Sequence, residues 1–200
     1  MSQERRTVTR EIIIACVALL ISGLTAAGSL LQTHVIAQQL SSQVWPYVTI
    51  ASTASRTRLE MNVDNDGLGP AVVESFVVMV DGRPQHDILA AVRALVGRQK
   101  LTGKFSELDL SALSPGQVLR PESTTMLLRM TNERLVPVLV PQISARVSAR
   151  LCYCSIVNTC WSLYLPEHLK SARPQTVAQC PDESANQLQQ PDIRELQRQP

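Results

Sequence analysis

The chain has no basic stripe. Its 19 Lys and Arg are scattered among 17 Asp and Glu, and the formal net charge is only +2. Nucleic-acid binding rests on clustered cations that neutralise phosphates, so no nucleic-acid partner is expected. No C-x-x-C occurs, which removes the usual thiol-redox motif, and the C-x-C at Cys152 and Cys154 is poor spacing for zinc. No Gly-rich turn opens a helix. Gly67 and Gly69 precede a strand pattern, so a phosphate-cradling loop is not expected. His34, His86 and His168 lie far apart, and none sits in a nucleophile motif or at metal-ligand spacing. These gaps remove the common catalytic constellations. The chain is expected not to be an enzyme, and no metal or cofactor is expected.

Charge itself is missing from Ile12 to Leu31, which reads IIIACVALLISGLTAAGSLL. In a helix at ~1.5 Å per residue that run matches the ~30 Å hydrocarbon core of a bilayer. Arg5, Arg6 and Arg10 precede it, and no Lys or Arg occurs after it until Arg56. The positive-inside bias then holds the N-terminus in the cytoplasm and exports the chain beyond the helix. The expected order is a cytoplasmic tail over 1–11, a transmembrane helix over 12–34 that meets membrane lipid, and a linker over 35–44. A cleaved signal peptide is the alternative, with Val35 and Ala37, or Thr25 and Ala27, ahead of a cut. The run exceeds the ~7–15 residues of a signal h-region, which favours retention. No lipobox-type cysteine comes after it. Gly23 and Ala27 have the small-xxx-small spacing of helix contacts and also of plain lipid-facing helices. Cys16 reads as a small apolar residue.

An exported domain is expected over 45–170. Trp45 and Tyr47 suit either the headgroup level or the opening of a first strand over 47–52. Over 57–64, Leu59, Met61 and Val63 alternate with Arg58, Glu60, Asn62 and Asp64, the period of a half-buried strand. The Val-rich run 71–80 with Phe76 predicts a strand buried on both faces, ended by Asp81-Gly82. Asp87 reads as a helix N-cap. Ile88, Val92, Leu95 and Val96 then share a helical face, and Gly97 closes it. This short inserted helix should cover an end or edge of a sheet. Further strands are expected over 105–110 and 123–130. Pro137 and Pro141 make 135–140 an edge or a connector.

The strongest hairpin pattern runs from 143 to 165. Ile143, Ala145, Val147, Ala149, Leu151 and Tyr153 share one face; Arg146, Arg150, Cys152 and Cys154 share the other. After a turn near 157–159, Trp161, Leu163 and Leu165 return to the apolar side. Arg146 and Arg150 form a candidate positive patch for an acidic partner or lipid headgroups. Cys152, Cys154, Cys160 and Cys180 all lie beyond the apolar run, an even count that suits an oxidising compartment and two disulfides. Three pairings are open. A register that opposes Cys154 and Cys160 leaves Cys152 for Cys180; opposing Cys152 and Cys160 is the alternative. The first is the working assignment. Beyond residue 170 periodicity fades, so 171–200 is expected to be largely disordered, with 171–180 a strap pinned by Cys180 and 181–200 a free tail.

Between the second and third strands lies Asp64-Asn65-Asp66-Gly67-Leu68-Gly69-Pro70-Ala71. Its oxygens suggest calcium, yet the later glutamate of an EF-hand-type loop is missing. A tight turn is the better reading: the glycines permit close backbone approach or positive φ, and Asn65 bonds the local backbone. The N-x-G-x-G-P-A run at Asn65, Gly67, Gly69, Pro70 and Ala71, with Val80-Asp81-Gly82 after it, resembles the turn of bacterial immunoglobulin-like sandwiches of the CARDB type. Leu119-x-Pro121-Glu122 before a Thr-rich strand is similar to their L-x-P-G-E strand start, here without the glycine. The Cys152-Tyr153-Cys154-Ser155 and Cys160-Trp161 hairpin resembles that of bacterial single-span membrane proteins. The resemblance covers about residues 45–165. It implies a β-sandwich in the bacterial envelope and no reaction, since such modules bind, space or support.

The expected fold class is mainly β: an N-terminal transmembrane helix, then an immunoglobulin-like β-sandwich of about six to eight strands with a short inserted helix. Leu59, Met61, Val63, Phe76, Val78, Val147, Leu151, Trp161 and Leu163 are the candidate core. The expected function is a membrane-anchored interaction or scaffolding module with a protein partner in the envelope. The expected location is the bacterial inner membrane, single-pass, with the C-terminal domain periplasmic. The alternatives are a secreted ligand-binding domain after signal cleavage, or a thiol redox protein.

Overall fold

A computed structural model describes residues 2–97, 107–166 and 173–190. The chain divides into two units, one ending at Gln43 and one beginning at Val44. The first is a single helix, α1 (Ser2–Gln43). It takes in residues 2–11 of the expected tail and 35–43 of the expected linker. No Gly or Pro interrupts residues 32–43, and Ser41 and Ser42 alone do not stop a helix; the first real breaker is Pro46. The stretch Ala15–Thr33, with mean hydropathy 1.7, is long and apolar enough to cross a bilayer. Its hydroxyls are satisfied within the helix. Ser22, Ser29 and Thr33 each donate to the carbonyl four residues back, and Thr25 donates to Ile21 and Ser22. Such back-bonding lets polar side chains sit where water is absent.

The second unit is mainly β. In chain order it holds β1 (Val48–Ala54), β2 (Arg58–Asn65), β3 (Ala71–Val80), β4 (Arg83–Gln85), α2 (Ile88–Val96), β5 (Glu107–Leu110), β6 (Val118–Leu119), β7 (Ser123–Thr131), α3 (Val136–Arg146), β8 (Val147–Ser155), β9 (Cys160–Leu165) and β10 (Gln175–Val177). One antiparallel sheet has the order β1-β2-β7-β5. The other has the order β10-β9-β8-β3-β4, with β6 also on β3. Leu59, Val63, Leu128 and Met130 from the first sheet join Val73, Phe76, Leu151 and Leu163 from the second in one apolar cluster. Seven of the nine candidate core residues belong to it, and the other two, Met61 and Val78, are partly buried and pack against it. A bulge opposite Met61 and Asn62 leaves Leu127 without a partner in register, so Leu127 and Leu128 are both buried.

Helix α2 forms as its caps dictate. Asp87 Oδ1 accepts from the Ala90 N–H at 2.6 Å, and Gly97 takes φ +75° while its N–H donates to Arg93 O. Asp81 and Gly82 both have positive φ, the geometry of a two-residue hairpin turn between β3 and β4. Of the strand expected over 105–110, residues 105 and 106 lie outside the described residues.

Three expectations are revised. First, of the two readings of residues 135–140, an edge strand or a connector, the connector holds: they lead into and begin α3, between β7 and β8. Pro137 sits in the first turn, where a missing N–H costs nothing, and Pro141 is tolerated inside. Val136, Leu139 and Ile143 are spaced three and four apart and all are buried. Asn132 Oδ1 accepts from the Arg134 and Leu135 N–H groups just before the helix. Second, the long hairpin therefore begins at Val147, and Ile143, Ala145 and Arg146 belong to α3. Third, 181–190 is not a free tail. Residues 173–190 cross the outer side of the second sheet from β9 past β8 to the edge of β3. There the Leu188 N–H donates to Phe76 O at 2.9 Å, and Leu188 is only 2% exposed. Gln190 Oε1 accepts from the Ala112 N–H. The remaining ten residues of the expected tail lie outside the described residues.

Candidate functional site

Register places Cys154 directly opposite Cys160, and the two are bonded, closing the β8–β9 turn. Cys152 is bonded to Cys180, which ties the 173–190 strap to the middle of β8. The bridges touch: Cys154 Sγ lies 3.9 Å from Cys180 Sγ. Cys154, Cys160 and Cys180 are close enough together for a metal by distance alone. Bonded sulfurs offer no thiolate to a metal. The outer side of the hairpin, expected to face solvent, is covered by the strap, and Cys152 and Cys154 are buried. The free cysteine among the described residues is Cys16 in α1.

The Asn65 turn is a second built feature. Asn65 is 1% exposed. Its Oδ1 accepts from the N–H groups of Gly67 at 3.1 Å and Tyr47 at 3.2 Å; its Nδ2 donates to the carbonyls of Gly69 at 2.9 Å and Leu119 at 3.1 Å. That uses the full capacity of the amide. Gly67 and Gly69 do not have positive φ. They are needed for close approach: a Cβ at Gly67 would run into the Trp45–Tyr47 backbone, and one at Gly69 into Val44. Pro70 and Ala71 then lead into β3, with Ala71 fully buried. The turn thus clasps residues 44–47, the segment leading into β1. Neither Trp45 nor Tyr47 lies in a strand; their rings are 5.4 Å apart. Asp66 carries one further bond, accepting from the Thr49 hydroxyl at 3.3 Å.

Arg146 and Arg150 do not form a shared positive face. Arg146 ends α3, and its guanidinium is paired with Asp81 at 2.5 Å. Arg150 lies on β8 and is paired with Glu183 of the strap. Each charge is matched by a carboxylate distant in sequence. Hydrogen bonding from Arg146 holds the Asp81 carboxyl below the usual carboxylate range. Glu60 is lowered likewise, by hydrogen bonds first from Arg58 and then from Arg129 across the β2–β7 ladder. His86 sits 2.8 Å from Asp87 on the surface. His168 lies outside the described residues.

Two features carry no local sequence signal. Tyr153 is fully buried, stacked on Trp161, and its hydroxyl accepts from the Val48 N–H at 3.2 Å, linking β8 of one sheet to β1 of the other. Burial pushes this phenol up to about 12. Between the sheets lies a cavity of about 50 Å³. Its walls are all apolar, with Ile50 and Met61 from the first sheet, Ala149 and Leu165 from the second, and Val92 and Ile143 from the helices.

Comparison with protein-family models, with curated proteins and with solved structures yields no match to this chain.

Proposed function

We propose that this chain is a single-span protein of the bacterial inner membrane whose exported immunoglobulin-like β-sandwich acts as an interaction or scaffolding module for an envelope partner. The observation that supports it is chain order. A lipid-length apolar helix comes first, and all four cysteines behind it are bridged. Disulfides persist in oxidising compartments, and Arg5, Arg6 and Arg10 lie on the other side of the apolar stretch Ala15–Thr33. Large side chains on that helix, Leu19, Leu24 and Leu30 among them, are about three-quarters exposed within the chain and call for lipid around them. The resemblance of the Asn65–Ala71 turn adds the immunoglobulin-like reading.

Phosphatase and fluorescent reporters fused behind Pro200 test the topology; the expected result is phosphatase activity and no cytosolic fluorescence. Crosslinking in intact membranes, with detergent extraction afterwards, should recover the chain with a protein attached. A strictly solitary chain overturns the scaffolding role. Thiol labelling separates the redox alternative: staples leave Cys16 as the one reactive cysteine until reductant is added.

A further inference from the structure

We propose that the outer edge of β1 is a self-pairing surface, through which two copies of this chain join β1 to β1 antiparallel, centred on Ser52. This rests on the reading of the domain as an interaction module and names its partner as a second copy. The two four-stranded sheets become one sheet of eight.

The backbone parity is fixed. The Ser55 N–H donates to Arg58 O at 2.8 Å, and the Asp66 N–H donates to Tyr47 O at 2.8 Å. With the β1–β2 register running from Val48↔Asn65 to Ala54↔Leu59, the odd positions 49, 51 and 53 bond inward to β2. The even positions 48, 50, 52 and 54 point their N–H and C=O outward. Val48 is answered by the Tyr153 hydroxyl. Among the described residues no strand lies beyond Ile50, Ser52 and Ala54. A second β1 centred on Ser52 opposes Ile50 to Ala54, Ser52 to Ser52, and Ala54 to Ile50. All three pairs match outward groups to outward groups, giving about six backbone hydrogen bonds. A centre lying between two residues fails this match, and a centre on Ala51 keeps it only by drawing in Val48, whose N–H already donates to the Tyr153 hydroxyl.

The side chains are consistent with pairing. Strand edges are normally protected by charge, proline, bulges or brevity. The other edges show these devices: β5 carries Glu107 and Asp109, β4 is three residues with Arg83 and Pro84, and β10 is three residues. β1 has seven residues, Val-Thr-Ile-Ala-Ser-Thr-Ala, with no charge, no proline and no register shift against β2. Residues 51–54 are all exposed. A strand without charge is also one that does not repel its own copy, which favours a second copy over an acidic or basic partner.

The test uses the full chain in its membrane with Cys16→Ser, so that an added cysteine is the one free thiol. Ser52→Cys under mild oxidation should give a species of twice the mass that reductant reverses. Asp109→Cys on the β5 edge should stay at the monomer mass. Ser52→Cys that stays monomeric, or that links to a different protein, overturns the proposal. In the purified full chain Ser52→Glu should lower the dimer fraction about five-fold or more, and mixing it with Ser52→Lys copies should restore dimers. Unchanged dimerisation of Ser52→Glu also overturns it. A cytosolic reporter signal would sink the exported reading while leaving the Ser52 crosslink standing; a partner recovered without that crosslink would sink only the self-pairing.

Discussion

In the β1–β2 hairpin, residues 51–58 are all exposed, whereas in the β8–β9 hairpin every residue of β8 except Arg150 is buried. The ladders are otherwise alike, with seven unbroken pairs in one and six in the other. Each hairpin carries period-two alternation, in β2 of the one and in β8 of the other. Alternation tells which side of a strand meets the core; it does not tell whether the other side stays wet. That is decided at a distance. Cys180, Glu183 and Leu188 bring a strap across β8, and no described residue does the same for the outer edge of β1.

Cutting the strap should give the largest effect. Cys152→Ser with Cys180→Ser opens a loop with a sequence separation of 28, and Cys154→Ser with Cys160→Ser opens one of 6. Loop entropy puts these at about 3.5 and about 2 kcal/mol. Denaturant unfolding of the full chain in detergent should rank them in that order. Equal losses would mean that the longer loop is already held closed without its crosslink, by the Arg150–Glu183 pair and the Leu188 contact with β3. Asn65→Ala comes next. It strips partners from four backbone groups at the open end of the other hairpin, and a loss of about 3 kcal/mol is expected by the same measurement. A loss under about 1 kcal/mol would mean that water replaces the amide there, and that the turn does not set the position of residues 44–47.

The legible parts of the fold were those fixed by neighbours in sequence. β3 occupies 71–80 as its composition dictates, and α2 lies between the Asp87 cap and Gly97. The cysteine positions and the Asn65–Ala71 turn were visible for the same reason. α3 was obscured because Pro137 and Pro141 read as strand breakers, although the spacing of Val136, Leu139 and Ile143 was helical. The strap was obscured because a single buried leucine in a polar stretch carries no periodicity. Arg146 and Arg150 read as a free patch because Asp81 and Glu183 stand 65 and 33 residues away. Long-range pairing of charges, like the cover on β8, has no local signature.

Tyr153 couples the two hairpins and sharpens the contrast between them. Tyr153→Phe leaves the Val48 N–H without its acceptor, at a cost of about 1–2 kcal/mol. The phenol also predicts an alkaline limit. Its folded value of about 12 stands above the ordinary 10.0, so the protonated form is the one that the fold favours. The stabilisation is complete below pH 10 and is lost as pH rises toward 12. Wild type should therefore lose on the order of 2 kcal/mol over that window, and Tyr153→Phe should be flatter. Parallel pH profiles would assign the loss to some other group.

The smallest effect lies where the hairpins face each other. Ile50 and Met61 of one, and Val147, Ala149 and Leu165 beside the other, line the 50 Å³ cavity. That space holds roughly one added methyl without a clash, and its apolar walls give water no hydrogen-bond partner. Val147→Ile should therefore add one buried methylene, worth about 0.8 kcal/mol, and raise Tm by about 2–4 °C. Ile50→Val should do the reverse by about 1 kcal/mol, since it deepens a void that already exists. The two together locate the slack. A gain from Val147→Ile places it under β8, on the stapled side, whereas a loss from overpacking places it under β1, so that even the covered hairpin would owe its tight fit to the strap rather than to the facing sheet.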